Sequence, residues 1–383
     1  MVALTANSWR GRVGPRRYRR GMSAPFADRI AGVRLGLEAS GTDAVLLSVG
    51  GDLPWLTGYE AMPLERLTMF VLPRVGDPTL VVPRLEAPRV AADFPGAVVP
   101  WGETEDPVAV VARIVTGAST LAIGDQTWAR FVLELQRALP TTTFTSATPV
   151  IAPRRMVKDA AEVDALAAAA RAADAIAVEI RDQRFAGRTE RSVHQELSER
   201  ILAAGHERTN FAIVAAGENS ASAHHEPGPR VIAEGDVVLL DFGGTMRGYC
   251  SDITRMYVVG EATTEMREIY DVLRGAQEKA VQAATVGTAL EAVDAAARDA
   301  IALAGYGPNF VHRTGHGIGR DAHEEPYVVA GNDAPVVAGY AFSIEPGIYL
   351  PGRFGFRLED IVVATDDGPR RLNEAPRGLA EVE

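Results

Sequence analysis

Four carboxylates stand inside apolar runs of this chain, and that placement restricts its folding more than any other feature. Asp241 ends the run Val237-Val238-Leu239-Leu240, and Asp252 lies eleven residues on, in what reads as the returning strand of one hairpin. Glu345 follows Ala341-Phe342-Ser343-Ile344, and Glu359 precedes Ile361-Val362-Val363. A lone charge in a buried strand costs several kcal/mol, so four of them need a common counter-charge. Five of the seven histidines, His224, His225, His312, His316 and His323, fall in the same half of the chain. Carboxylates with imidazoles and no thiolate suit Mn²⁺, Zn²⁺, Co²⁺ or Fe²⁺. Two divalent ions balance four carboxylates and can hold a water between them whose pKa drops to roughly 7. The chemistry this points to is hydrolysis at a carbonyl or phosphoryl centre.

Composition narrows the alternatives. The 383 residues carry 39 Lys+Arg against 50 Asp+Glu, a net charge of −11, which argues against a general nucleic-acid binder. The single cysteine, Cys250, excludes an intramolecular disulfide and a cysteine-built zinc site, and points to a reducing, cytoplasmic setting. No uncharged apolar run of about 18 residues is present, so no transmembrane helix is expected. Residues 1–21 hold six arginines and no acid. Arg16-Arg17 resembles a twin-arginine pair, yet no apolar segment follows it. Residues 1–23 are therefore expected to be a disordered basic tail, with Met22 an alternative start, and deleting residues 1–21 is expected to leave activity unchanged.

Two domains are expected beyond that tail. Residues 24–150 alternate helical spacing (Ile30, Val33, Leu35, Leu37) with strand-like runs at Ala44–Val49, Thr68–Leu72, Thr79–Val82 and Thr120–Ile123. Helical stretches fall near 85–93, 106–115 and 126–138, and the alternation reads as an α/β domain without a catalytic motif. Pro149, Pro153, Arg154-Arg155 and Lys158 break the pattern. Asp159 with Glu162 then forms a capping box for an Ala-rich helix to about 183, opening a second domain, 155–383. That domain reads as α+β: helices near 189–204, 263–284 and 288–304, and a hairpin of Asp236–Phe242 and Tyr249–Val259 joined through Gly243, Gly244 and Gly248. No tandem repeat of solenoid period is visible.

The runs Asp241-Phe242-Gly243-Gly244 to Gly248-Tyr249-Cys250-Ser251-Asp252-Ile253-Thr254-Arg255 and His312-Arg313-Thr314-Gly315-His316-Gly317-Ile318-Gly319 occur in order. They are followed by His323-Glu324-Glu325-Pro326, Ser343-Ile344-Glu345-Pro346-Gly347-Ile348-Tyr349 and Arg357-Leu358-Glu359-Asp360. The set resembles the signature of the pita-bread metallopeptidases, over about 155–375. The upstream region resembles the N-terminal domain of their prolidase, aminopeptidase P and creatinase branch. The resemblance implies an α/β N-terminal domain of creatinase/prolidase type. It also implies an α+β pita-bread catalytic domain with a curved antiparallel sheet and a pseudo-twofold not visible as an internal repeat. It implies a homodimer and two divalent metal ions per subunit, Mn²⁺ first, with Zn²⁺ or Co²⁺ possible. Asp241 would chelate one metal, Asp252 and Glu359 would bridge both, and His316 with Glu345 would complete the other. Glu345 would also be the general base. His224 and His323 would hydrogen-bond the scissile peptide and its tetrahedral intermediate. His312 would line the proline side, with Arg357 and Tyr249 as candidates for holding substrate or supporting the metal ligands.

The function implied is hydrolysis of the Xaa-Pro bond by a metal-bridging hydroxide, on dipeptides (prolidase) or on longer peptides (aminopeptidase P). An Xaa-Pro bond is a tertiary amide without an N–H, so a dedicated pocket is needed. The substrate is thus a small peptide with proline second, and neither nucleic acid nor membrane is an expected partner. A basic residue capturing the proline carboxylate would restrict the enzyme to dipeptides, with Arg357, or Arg66 from a partner subunit, as the candidates. A methionine aminopeptidase leaves the N-terminal domain unexplained, and the creatinase branch lacks the metal ligands present here. A catalytically inactive binding member is the alternative from another class. His225, His194 and His206 are read as having no role of their own, and Cys250 as a packed small hydrophobe. The glycines around His316 are read as letting backbone approach the metal site.

Overall fold

Ala44-Val45-Leu46-Leu47 is apolar at every position because both of its faces are covered. The computed structural model describes residues 24–383, so the expectation for residues 1–23 lies outside the described residues. The chain divides into two units that meet between Ala147 and Thr148. In the first, α1 (Ala24–Ser40) leads into β1 (Ala44–Leu47), α2 (Asp52–Thr57), β2 (Met69–Pro73), β3 (Thr79–Pro83) and β4 (Ala97–Trp101). Then come α3 (Pro107–Ile114), β5 (Thr120–Ile123), α4 (Ala129–Ala138) and β6 (Thr143–Ser146). The strands form one mixed sheet in the order β4-β3-β2-β1-β5-β6. β1 runs antiparallel to β2 and parallel to β5 at its centre.

The two strands that sequence patterning missed, β4 and β6, are the two edges of this sheet. Edge strands are covered less: Thr143-Phe144-Thr145-Ser146 carries no apolar run, and Ala97-Val98-Val99-Pro100-Trp101 is apolar but short, partly exposed and interrupted by Pro100. The helix expected near 85–93 is only a 3₁₀ turn at Ala87–Arg89. Pro88 stands in that turn and Leu85 is 59% exposed, so no apolar face exists to hold a longer helix.

The second unit opens with a short helix, α5 (Thr148–Arg155), where the prolines suggested a break. Pro149 sits in its first turn, which a helix tolerates. The Asp159–Glu162 capping box is present at the start of α6 (Ala160–Glu179). After α6 the chain continues through α7 (Glu190–Ala203), β7 (Arg208–Ala216), β8 (Val237–Met246), β9 (Tyr249–Cys250) and β10 (Ile253–Val259). Next are α8 (Thr264–Ala283), α9 (Leu290–Leu303), β11 (Gly315–Gly317), β12 (Glu324–Val328) and β13 (Ala341–Ile344). The chain ends with β14 (Gly347–Leu350), β15 (Phe354–Arg357), β16 (Asp360–Thr365), β17 (Gly368–Arg371) and β18 (Ala380–Val382). One sheet is ordered β18-β10-β8-β7, with β9 on β8; another β12-β11-β13-β16-β17; and β14 pairs β15. Apart from the β10–β18 pair, all these ladders are antiparallel.

Strand β8 is buried on both faces. Val237 and Leu239 join the cluster that includes α8 and α9, whereas Val238, Leu240 and Phe242 join the cluster of α6 and α7. Period two places Asp241 on the Val237–Leu239 face, opposite Thr254 of β10. The internal repeat that patterning missed is also here. α6 and α8 each span 20 residues, and α7 and α9 each span 14, the latter two at positions one hundred residues apart. α7 and α9 are each preceded by a left-handed glycine (Gly187, Gly287) and followed by another (Gly205, Gly305). Val193, Leu197 and Ile201 recur as the buried Val293, Ala297 and Ile301. Only burial-facing positions are shared, which is why the repeat escapes a reading by motif.

Candidate metal centre

Each anomalous carboxylate sits within or at the end of a strand, and the two sheets of the second unit converge them. Asp241 lies on β8, Asp252 just before β10, His316 on β11, Glu345 just after β13 and Glu359 just before β16. Their ligand atoms fall into three overlapping groups, each within 4.8 Å: Asp241, Asp252 and Glu359; His316, Glu345 and Glu359; and Asp252, His316 and His323. Asp241, Asp252, His316 and Glu359 are buried, and the Glu345 side chain is 16% exposed. His316 Nε2 is 3.2 Å from Glu345 Oε1 and 3.7 Å from Asp252 Oδ2.

The electrostatics of this cluster fit divalent cations. Among the described residues, Arg357 is the one lysine or arginine ion-paired with any of the four carboxylates, through Asp241. Burial, then Glu359, Asp241 and Glu345, hold the Asp252 carboxyl well above the usual range. Burial, Glu345 and Asp241 do the same to Glu359. Burial also raises Asp241, against the pull of Arg357. For Glu345, burial is outweighed by the hydrogen bond and charge of His316, together with His312 and Arg357, and its pKa falls to about 2. Asp241 Oδ1 is buried with no hydrogen-bond partner, although Oδ2 meets Arg357. An orphaned carboxylate oxygen facing like charges is a position for a cation.

Residues that sequence reasoning did not single out hold these groups. Thr254 donates to Glu359 Oε2 at 2.7 Å and accepts from Arg357 Nε at 3.2 Å. Ser343 donates to Glu345 Oε1 at 3.0 Å and accepts from the His316 backbone N–H. Arg255 reaches the Glu359 carbonyl at 2.6 Å and is itself anchored by the fully buried Asp360. The partners of Thr254 and Arg255 are more than 100 residues away in sequence, so no local spacing reveals them, whereas Ser343 stands only two residues from Glu345. Thr254, Ser343 and Arg255 do fall inside or beside the motif runs, the one signal that could have found them.

The substrate-side assignments separate. His312 is half-buried, its Nε2 2.8 Å from the Tyr349 hydroxyl, which accepts from Arg357 at 2.8 Å. His224 and His323 are exposed, and His323 stacks on His316 with ring centroids 3.8 Å apart. The charge of His224 bears on both His312 and His323. Arg357 is 2% exposed and engaged by Asp241, Tyr349, Thr254 and the Ala223 carbonyl. Tyr249 is buried and donates to Glu162 at 2.8 Å, packed with Ile318 and Ile361. Arg66, in the first unit, is paired with Glu65 and Glu103.

Two background histidines turn out differently from the sequence reading. His225 meets Glu190 at 2.9 Å; the fully buried Glu190 also accepts from Ala216 N, Asn219 Nδ2 and Gly228 N, tying down the turn that carries His224. Removing Glu190 leaves these donors unpaired, so Glu190→Ala is expected to cost about 3–5 kcal/mol, read by urea denaturation, with Glu190→Gln costing less. His206 lies beyond α7, buried, and contacts Ser251 Oγ at 2.9 Å beside Asp252. A Cβ on Gly315 would come within 1.8 Å of the Ser343 carbonyl oxygen, and one on Gly317 within 2.2 Å of that of Glu325. These glycines let neighbouring backbones close on β11, the strand that carries His316. Cys250 is buried, which pushes its thiol up to about 11.

Metallopeptidase family M24 matches residues 164–366, and the Creatinase/Prolidase N-terminal domain matches residues 29–157. The chain belongs to metallopeptidase family M24. It is 42% identical over 363 residues to "Probable dipeptidase PepE" of Mycobacterium tuberculosis, covering 93% of this chain and 96% of that one. It is 34% identical over 356 residues to the Xaa-Pro dipeptidase of Lactobacillus helveticus, covering 90% and 96%. The crystal structure of dipeptidase PepE from Mycobacterium ulcerans superposes with a TM-score of 0.88 at 44% identity, covering 94% of this M24 chain and 98% of that one. The fold is therefore a creatinase-type N-terminal domain followed by an M24 pita-bread catalytic domain, and this family's metallopeptidase chemistry implies divalent metal ions. Among the described residues, no helix is long and apolar enough to cross a membrane.

Proposed function

We propose that this chain is an exopeptidase with two divalent ions per subunit that hydrolyses the Xaa-Pro bond of dipeptides. The observation that carries the reading is four clustered carboxylates, three of them buried, facing one guanidinium. Asp252, Glu359 and His316 each belong to two of the three ligand groups, and of these the two carboxylates have a second oxygen with which they could bridge two ions. Asp241 would then help hold one ion, and His316 with Glu345 the other. Mn²⁺, with Zn²⁺ or Co²⁺ as alternatives, would supply water acidified to near neutral pH and polarise the scissile carbonyl.

The chain's own residues do the rest. Glu345 is the least buried of the four carboxylates, so it is the one placed to accept the proton of the attacking water and return it to the leaving nitrogen. The Ser343 hydroxyl and His316 fix its orientation. His224 and His323 reach the open side, where an imidazole N–H can donate to the carbonyl oxygen as it gains charge. His312, held by Tyr349, forms the wall for the proline ring. The relatives' dipeptidase names, matched along nearly their whole length, support the dipeptide assignment. A cytoplasmic homodimer is part of the same reading.

Metal-loaded protein should release free amino acids from an Xaa-Pro dipeptide, do so poorly from the matching Xaa-Pro-Yaa tripeptide and an Xaa-Ala control, and stop in chelator until Mn²⁺ is restored. Preferred tripeptide cleavage would make it an aminopeptidase P; preferred Xaa-Ala cleavage would remove proline from the assignment.

A further inference from the structure

Helices α7 and α9 hold matching places in the internal repeat, and at one matching position each is tied to the chain that follows it. His194 Nδ1 lies 2.6 Å from the Ala212 carbonyl. Asp294 Oδ1 accepts from the Thr314 hydroxyl at 2.8 Å and from its N–H at 3.1 Å. One turn further on, the two helices differ. Ser198 stands in α7 where α9 has Arg298, so the packing of such a helix does not by itself call for an arginine.

Arg298 is held on both sides. Its Nε and Nη2 donate to the two oxygens of Asp294 at 2.8 and 2.9 Å, and Asp294 is 1% exposed. Nη1 donates to the Phe310 carbonyl at 3.1 Å, and Nη2 also reaches the His312 carbonyl at 2.8 Å. The guanidinium lies 4.2 Å from the centroid of the Phe310 ring. The fork is thus committed to one carboxylate and two alternate carbonyls. Residues 310–314, which it grips, lie between the 3₁₀ turn Gly307–Asn309 and β11, in neither helix nor strand. Thr314 N is shared with the Val328 carbonyl at 3.0 Å, so ladder pairing begins only where this stretch ends.

His312 sits in the middle of it. Its Nδ1 is 2.8 Å from the Arg313 carbonyl, and a carbonyl can only accept, so Nδ1 carries the proton of the neutral ring. Nε2 is then left to accept from the Tyr349 hydroxyl at 2.8 Å. The Phe310 ring meets His312 edge-on, with centroids 5.2 Å apart. Arg298 therefore supports this imidazole twice, by its backbone carbonyl and through Phe310. Such support matters because a shift of about 1 Å in a group that positions substrate can cost about 10²-fold in rate.

We propose that Arg298, braced by Asp294, is a positioning residue that acts through His312 to set the wall for the substrate's second residue. This rests on the exopeptidase reading above.

The test is a double-mutant cycle on metal-loaded protein: wild type, Arg298→Met, His312→Ala and the double variant, each assayed on an Xaa-Pro and an Xaa-Ala dipeptide. Arg298→Met should lose about 10- to 10²-fold in kcat/KM on Xaa-Pro, with metal content unchanged. Added to His312→Ala, the same change should cost less than about 2-fold, because its route to the substrate is already gone. Arg298→Lys should fall between, since it keeps charge without the fork. Three results overturn the proposal: an equal loss in both backgrounds, a loss below about 2-fold in the wild-type background, or loss of bound metal in Arg298→Met. If wild type cleaves Xaa-Ala but not Xaa-Pro, the proline assignment fails, and the same cycle on Xaa-Ala decides Arg298. If nothing is cleaved, the peptidase reading fails, and NMR of the histidine rings decides. The His312 signals, assigned by their absence in His312→Ala, should then move in Arg298→Met; unmoved signals overturn the proposal. Thermal melts establish folding, and if Arg298→Met does not fold, the cycle and the spectra are taken with Arg298→Lys.

Discussion

Asp252→Asn is expected to lose its bound metal and at least about 10³-fold of its activity, the equivalent of several kcal/mol of lost electrophilic assistance. The side chain stays nearly isosteric, so the fold should persist. A sharper signature lies in stability. In metal-free wild type, burial and three neighbouring carboxylates raise the folded-state pKa of Asp252. A carboxyl raised on folding favours the native state below its unfolded pKa and weighs against it once pH passes that value. At neutral pH the metal-free wild type therefore carries an uncompensated repulsion that the amide removes. In chelator, Asp252→Asn should melt above wild type. With Mn²⁺ added the order should reverse, because only wild type gains the stabilisation of a ligand bound to the native state. Metal analysis and melts with and without chelator check this. Normal turnover, or a variant less stable than wild type in chelator, would take Asp252 out of the centre.

His224→Ala is expected to act in the opposite way: metal content unchanged, kcat lower by about 10²–10³, KM nearly constant. The imidazole is exposed on the turn that follows Gly217–Ala221 and belongs to none of the three ligand groups. Its loss should therefore remove only a donor that strengthens as the carbonyl oxygen gains charge. His323→Ala should lose rate comparably but disturb metal content more, since His323 shares a group with Asp252 and His316. Single-turnover rates alongside metal analysis distinguish the two. A His224→Ala variant with unchanged kcat would mean that the turn plays no part in the chemistry.

The parts of this protein legible in its sequence are those where burial leaves a local mark. β1, β2, β3 and β5 read as apolar runs because they are covered on both faces, and α6 announces itself through the Asp159–Glu162 box. The four carboxylates were legible for the inverse reason, since an ionised group inside an apolar run needs a partner wherever the chain takes it. The edge strand β6 left no such mark, because most of it faces solvent, and in β4 the short apolar run is broken by Pro100.

What only the tertiary structure decided is the pairing of distant groups. Nothing local to Thr254 says that it meets Glu359, nothing in Glu190 says that it anchors the turn of His224, and Arg357 and Arg313 look alike as arginines. One is engaged by Asp241, and the other faces Tyr327 with no carboxylate paired to it among the described residues. Sequence sets the type and spacing of charges, and so the kind of chemistry that can occur. Which charge is already neutralised, and which is not, depends on contacts made across the fold, because electrostatic interaction is fixed by distance and burial rather than by order along the chain.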